Sequence, residues 1–263
     1  MQRQVAEVGG EVFNGSRVWV VIPALDEAPS VGLVVAELWA LTDAAGDVFV
    51  DHIVVCDNNS RDATAVVARD AGATVVSEEQ RGYGAACLRA LGRVRSGGAN
   101  GNDIVLFVDA DRSVDVSEVP ALLAPLGQGA DLVIGNRVAG AREPGALTPQ
   151  QQFGNWLSSA LIRLLWRCDV NDLGPFRAIR VGALDRLAME DRAFGWTCEM
   201  QLRAIQHGMS MVEVPVSSLK RIGRSKISGT LLGSLRAGRG ILGMVAAIWW
   251  EQRRMMRRRE HHH

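Results

Sequence analysis

The chain has 263 residues, 48% apolar and 22% charged, enough to bury a sizeable core and unlike a disordered, fibrous or disulfide-stapled protein. Its formal net charge is zero, yet residues 1–120 carry 9 basic and 18 acidic side chains and residues 121–263 carry 20 and 11. Residues 220–260 alone hold 11 basic against 2 acidic side chains, so the positive end is one segment rather than a basic domain, and no nucleic-acid partner is expected.

Residues 1–16 are polar, lack the apolar core of a signal peptide and are expected to be disordered, which points to a protein kept inside the cell. Short β-branched runs then alternate with longer amphipathic ones. Arg17 to Ile22 precedes Val31 to Leu41, Val50 to Cys56 precedes Asp62 to Ala71, and Thr74 to Val76 precedes Gly84 to Val94. Asp103 to Val108 precedes Ser117 to Leu126, and Asp131 to Ile134 follows. The alternation predicts an α/β fold, a mostly parallel central sheet flanked by helices, with ligands at the carboxyl ends of the strands.

Three of those ends deliver carboxylates: Pro23-Ala24-Leu25-Asp26-Glu27, Asp57-Asn58-Asn59-Ser60-Arg61-Asp62 and Asp109-Ala110-Asp111. Alternate aspartates leaving a buried strand can offer two hard oxygen ligands to Mg²⁺ or Mn²⁺. Asp57, one residue past its strand, can accept hydrogen bonds from a base or ribose, or serve its turn; Asp62 is placed to cap the following helix. Gln80 to Cys87 has Gly82 and Gly84 but lacks the third glycine and strand adjacency of a dinucleotide loop, and neither a P-loop nor a nucleophile elbow occurs.

After Gly135-Asn136-Arg137 comes a loop rich in Gly, Pro and Arg, Val138 to Pro149, with the composition of an active-site flap. A helix over Gln150 to Cys168, a strand over Phe176 to Ile179, a helix over Thr197 to Gln206 and a strand over Met211 to Val216 complete the domain, taken as residues 17–220. A basic loop and amphipathic helix are expected over 221–260, and His261 to His263 read as a tag remnant. Arg221, Arg224 and Lys226 beside Gly223 suit phosphate oxygens.

Leu231, Leu232, Leu235, Leu242, Val245, Ile248 and Trp249 recur at helical spacing, and five arginines follow. Such a helix either meets an anionic bilayer surface, at ~1 kcal/mol per basic residue, or a second copy, or packs on the protein itself. The longest apolar stretch, Gly240 to Trp250, is too short to span a bilayer, so any contact with the inner face of the cell membrane is peripheral. Cys56, Cys87, Cys168 and Cys198 are far apart, without a zinc or disulfide pattern, which fits a reducing cytoplasm. Only His52 and His207 lie outside the terminal run, so site chemistry falls to carboxylates.

Taken in order, Val20 to Glu27, Cys56 to Thr64, Gly82-Tyr83-Gly84, Asp109-Ala110-Asp111, Gly135-Asn136-Arg137 and Arg221 to Ser228 resemble the family 2 glycosyltransferases. The likeness is specifically to the dolichol-phosphate mannosyltransferase and polyprenyl-phosphate glucosyltransferase group, over roughly residues 17 to 245. The resemblance implies a GT-A nucleotide-sugar-binding fold, a divalent metal (Mg²⁺ or Mn²⁺), and inverting transfer of a hexose from a UDP or GDP sugar to a polyprenyl or dolichyl phosphate.

Under it, Pro23, Ala24, Glu27 and Asp57 look like the floor for base and ribose, with Gly82 and Ala110 nearby. Asp109 and Asp111 look like the metal and diphosphate end, with Asp111 counted among the catalytic residues. Arg137 looks like a phosphate clamp, Arg221, Ser225 and Lys226 like a loop over the diphosphate, and Asp172 and Glu199 like acceptor-side groups. The family's Asp-Ala-Asp-Leu-Gln is replaced here by Arg112 and Ser113 after the second aspartate, and Asn59 stands where the family has glycine. A lipid phosphate is already anionic and needs no strong general base, whereas a soluble hydroxyl acceptor, the alternative, would need Asp172 or Glu199 in that role. A third reading is a nucleotide-sugar-binding protein without turnover; a homo-oligomer is compatible with each.

Overall fold

The computed structural model describes residues 15–43, 46–223, 239, 240, 242–251, 253 and 254. The elements run β1 (Val18–Ala24), α1 (Val31–Trp39), β2 (His52–Asp57), α2 (Thr64–Asp70), β3 (Thr74–Ser77), α3 (Tyr83–Ser96) and β4 (Ile104–Phe107). A single 3-10 turn, Val116–Glu118, opens α4 (Val119–Gly127), and β5 (Leu132–Asn136), α5 (Pro149–Trp166), β6 (Arg177–Arg180), α6 (Val181–Leu187), α7 (Trp196–Gln206) and β7 (Met211–Pro215) follow. They build one seven-stranded sheet in the order β3-β2-β1-β4-β6-β5-β7.

β1 to β4 are parallel, with Ala24 beside Asp57 and Val21 beside Phe107, so the three acidic strand ends emerge at one edge. β6 runs antiparallel to both β4 and β5, and β5 pairs parallel with β7. The chain therefore enters β6 from the edge that the other strands leave. The segment leading into it, residues 168–176, has to cross that edge.

Side-chain alternation explains why the sheet is covered on both faces. Val18, Val20 and Ile22 of β1 pack with Val31, Val34 and Leu38 of α1 and Leu122 of α4. Trp19 and Val21 point the other way, toward Ala90, Leu91 and Val94 of α3 and Leu184 and Leu187 of α6. Truncating a fully buried member such as Ile22 to alanine would cost about 2–5 kcal/mol.

The expected elements are present with ends displaced by a few residues, and α6 is additional. It follows β6 with no intervening turn, Arg180 serving as its N-cap residue, so no punctuation in the sequence separates strand from helix. α5 opens with a capping box in which Thr148 accepts from the Gln151 N–H and the Gln151 side chain accepts from Thr148 N–H.

The expected C-terminal amphipathic helix is seen in part: residues 242–251 are helical. Val245 and Ile248 are buried with Ile162 of α5 and Cys198 and Leu202 of α7, so this stretch of its apolar face is covered by the protein itself. Leu231, Leu232 and Leu235, residues 1–14 and His261 to His263 lie outside the described residues. No helix among the described residues is long and apolar enough to cross a membrane.

Candidate active site

The loops after β1 and β2 are locked to one another by backbone donors. Asp26 N–H donates to Ser60 Oγ (2.9 Å), Arg61 N–H to Asp26 Oδ1 (2.6 Å), Glu27 N–H to Thr64 Oγ1 (2.8 Å) and Ala28 N–H to Asp62 Oδ2 (3.1 Å). Asp26 and Asn59 both take left-handed backbone (φ 52° and 62°), the conformation for which Asn or Asp is the best substitute for glycine. Asp62 accepts from Thr64 N–H at the start of α2 and ties the helix to the β1 loop with its other oxygen.

Asp57, expected against the base or ribose, accepts from Ser60 N–H (3.3 Å) and is not among the residues lining the cavity. Its neighbour Asn58 takes that place, because the chain turns just past the strand. Asn58 Nδ2 donates to the Glu78 and Gln80 carbonyls (3.1 and 2.8 Å), and its Oδ1 accepts from Gly82 N–H (2.8 Å). One buried amide thereby fixes the 78–82 loop over the cleft.

The cleft is a cavity of about 370 Å³ lined by Pro23, Ala24, Glu27, Gly82, Asp109, Ala110, Asp111 and Arg221, all expected there, and by Leu25, Asn58, Arg81, Tyr83, Ala86, Ala193 and Phe194. Asp109 lies at its polar end and accepts from the Tyr83 hydroxyl (3.1 Å). Burial and the neighbouring Asp111 push the Asp109 carboxyl up to about 7. Asp111 accepts from Ser113 N–H (3.0 Å) and pairs with Arg221 Nη1 (3.2 Å). Arg221 Nη2 reaches Glu27 Oε1 (2.9 Å), so one guanidinium spans the acids from two strand ends.

Two neighbouring carboxylates, Asp111 buried and Asp109 partly so, invite a counter-cation, and hard oxygen donors suit Mg²⁺ or Mn²⁺. Among the described residues no group of three or more His, Cys, Asp or Glu is arranged to hold an ion. The protein thus offers two carboxylates, a donor set that fits a Mg²⁺-type ion completing its shell with water and substrate phosphate. Ser113 engages the ligand-bearing loop through its backbone, while Arg112 pairs with Glu37 of α1 (2.7 Å).

Arg137 is held by Asp172 through its backbone N–H (2.7 Å), Nε (2.9 Å) and Nη2 (2.7 Å). Burial would lower the Arg137 pKa, but its bonds to Asp172 and the charges of Asp109 and Asp111 outweigh that and keep it cationic. The approach needs Gly174, since a Cβ there would lie 2.9 Å from Arg137 Nε. Glu213 of β7 then fixes the segment, accepting from the Asn171 N–H (2.7 Å), the Asn171 side chain (3.1 Å) and Asn136 Nδ2 (2.7 Å).

Asp172 and Glu199, expected to face the acceptor, are both buried with their carboxylates already engaged. Glu199 accepts from the backbone N–H groups of Glu190 (3.1 Å) and Asp191 (2.8 Å) and pairs with Arg203 (2.8 Å). It holds the loop whose Arg192 and Ala193 carbonyls accept from Ala85 and Gly84 N–H (3.0 Å each) and whose Ala193 and Phe194 wall the cavity. Gly84 is required at that crossing, because a Cβ would overlap the Asp191 carbonyl oxygen. Both carboxylates are thereby turned to internal partners rather than to the acceptor side where they were expected. The physical reason is that each satisfies groups that would otherwise be buried unpaired.

Ser225 and Lys226 lie outside the described residues. The cysteines are free, and burial pushes the Cys56 and Cys198 thiols up to about 12, leaving neither as a nucleophile at neutral pH. His52 stacks on Trp19 (3.8 Å between rings), away from the cleft. Tyr83, Asn58 and the buried Arg177, which donates to the Gly174 and Thr197 carbonyls, are contributors that sequence reasoning missed. Only the Gly82-Tyr83-Gly84 motif held a signal for the first.

An acidic pair at the end of a parallel strand, beside a cleft roofed by a glycine-bearing loop and flanked by arginines, belongs to a recognisable class. Residues 19–187 match the family model described as glycosyl transferase family 2, and the chain belongs to that family and is a glycosyltransferase. An uncharacterized glycosyltransferase of Mycobacterium tuberculosis is 39% identical over 227 residues, covering 85% of this chain and 95% of that one. The undecaprenyl-phosphate mannosyltransferase of Micrococcus luteus is 30% identical over 229 residues, covering 82% and 90%. The GT-A fold is shared with glucosyl-3-phosphoglycerate synthase from Mycobacterium tuberculosis, solved with Mn²⁺, UDP and phosphoglyceric acid, at a TM-score of 0.71 and 22% identity, covering 94% of this chain and 84% of that one.

Proposed function

We propose that the protein transfers a hexose, with inversion, from a UDP or GDP sugar to a polyprenyl or dolichyl phosphate, with Mg²⁺ or Mn²⁺ at Asp109 and Asp111. The observation that carries the reading is the acidic pair on the cavity floor, Asp111 buried and Asp109 partly so, faced by Arg221 and within electrostatic reach of Arg137. The nucleotide would lie over Pro23, Ala24 and Leu25 beneath the Arg81 to Tyr83 turn. A bound ion would neutralise charge growing on the departing diphosphate, a preorganised electrostatic effect that is often the largest catalytic contribution.

Arg221 is placed to exchange its carboxylate partners for diphosphate oxygens, and Arg137, locked by Asp172, presents a fixed cation to an incoming phosphate. The relatives named for undecaprenyl-phosphate and dolichyl-phosphate transfer support the lipid acceptor. A soluble hydroxyl acceptor is less well served. It calls for a free general base, and Asp172 and Glu199 are both committed to internal hydrogen bonds.

The test is nucleotide release from a panel of UDP and GDP sugars, with short-chain polyprenyl phosphate and Mn²⁺ or Mg²⁺. One donor should give metal-dependent release and a lipid-linked product, and Asp111→Asn should lower that turnover at least ~100-fold. Release by no donor, or an Asp111→Asn variant with undiminished turnover, overturns the proposal.

A further inference from the structure

One face of α5 is exposed, with no partner among the described residues. Phe153, Trp156 and Leu164 stand on it at 62%, 60% and 74% exposure, and the Phe153 and Trp156 rings touch at 5.9 Å between centroids. Their spacing of three and then eight residues places them along one side of the helix. The opposite side is anchored: Ser158, Ser159 and Ile162 are buried, and Asn155 accepts from Leu173 N–H (2.9 Å) and donates to the Asn171 carbonyl (3.2 Å).

We propose that this face docks on an anionic bilayer surface, with α5 lying in the headgroup layer. The inference rests on the lipid-phosphate reading of the site and names where that acceptor is met. Charge singles out the occupant. α5 carries no Asp or Glu in its 18 residues, and the exposed cations Arg142, bonded to Gln152 (3.1 Å), and Arg167 bracket its two ends.

The helical stretch packed against it through Val245 and Ile248 adds an exposed Trp250 and Arg253, which sits over the Trp249 ring at 4.2 Å. Exposed aromatic rings on a helix without carboxylates, with arginines at its ends and a single acid, Glu251, on the neighbouring stretch, suit an interface of apolar chains and anionic headgroups. Continuity with the site agrees: Asn155 bonds the segment whose Asp172 holds Arg137, so a docked α5 would keep the phosphate clamp in register with the membrane. The face lies one loop, residues 138–148, from that clamp.

The experiment is vesicle co-sedimentation of the full chain with phosphatidylcholine alone and with phosphatidylcholine plus phosphatidylglycerol. The expected result is binding that needs phosphatidylglycerol and falls with salt, and a drop of at least ~10-fold in partitioning for Phe153→Ser/Trp156→Ser. Urea stability and turnover on detergent-dispersed acceptor should stay at the wild-type level in that variant. No binding by the wild type, or equal binding by the variant, overturns the proposal. So does a mass that doubles with concentration and is restored to monomer by the double variant, which would mean a second copy covers the face. Loss of urea stability in the variant would mean the chain covers it and overturns the proposal equally. Vesicle binding as expected, with no turnover from any donor, would overturn the assigned reaction and leave the docking face standing.

Discussion

At the scale of single residues, the site is defined by how few donors and acceptors are left over. Tyr83 donates a hydrogen bond from its hydroxyl to a carboxyl whose pKa is already raised by burial and by Asp111. Tyr83→Phe removes the one charge-assisted bond shown for Asp109, a loss of about 1.5–3 kcal/mol to the ionised form. The metal concentration for half-maximal turnover should therefore rise ~10-fold or more, read from a Mn²⁺ titration of nucleotide release, with the fold intact. Asp172→Ala should behave differently, stranding the Arg137 guanidinium in a buried site and costing about 3–5 kcal/mol in urea unfolding. The strand-tip acids were legible in the sequence because each follows an apolar run that can only be an interior strand. Asn58 was not, and the resemblance that named Asp172 gave it a different role. Their work is to satisfy backbone groups 20 or more residues away, and no local pattern encodes which distant loop arrives.

At the scale of elements, helix starts do the positioning. α3 begins where the 190–194 loop crosses it, and Gly84→Ala would force backbone against backbone at that crossing. An overlap with a carbonyl cannot relax by rotating a side chain, so stability should fall by at least ~2 kcal/mol, and donor affinity should fall with it. Denaturant midpoints and calorimetry with the nucleoside diphosphate check the two effects. The course of the strands was readable from alternation between short β-branched and longer amphipathic runs. α6 was not, since it abuts β6 directly, with Gly182 inside its first turn rather than between the two and no capping side chain to mark the change. The apolar stripe of the C-terminal segment calls for cover, but periodicity is silent on which surface supplies it. Val245 and Ile248 found α5 and α7, and among the described residues the outer side of α5 is left uncovered.

At the scale of the whole molecule, β1 and β4 are tied at the end opposite the site. Asp103 accepts from Arg17 N–H, Nε and Nη2 (3.1, 3.1 and 2.7 Å) and from the Asn100 N–H and side chain (3.0 Å each). Burial would raise this carboxyl, and the bonds from Asn100 and Arg17 hold it below the usual carboxylate range. A lowered folded-state pKa contributes stability that is complete above the unfolded value of about 4 and fades as pH falls through the folded value. Asp103→Asn should lose about 1–3 kcal/mol at neutral pH and show a flatter acid limb, measured as urea midpoints across that range. The backward run of β6 has a further outcome. Of the residues that line the cavity, all but Ala193, Phe194 and Arg221 precede residue 112, whereas Arg137, Gly174 and the exposed side of α5 come from 137–175. Under the proposed reaction, donor and recipient would thus be met by separate stretches of chain. A chimera bearing that stretch from a relative should keep its nucleotide preference and deliver the same hexose to a new destination.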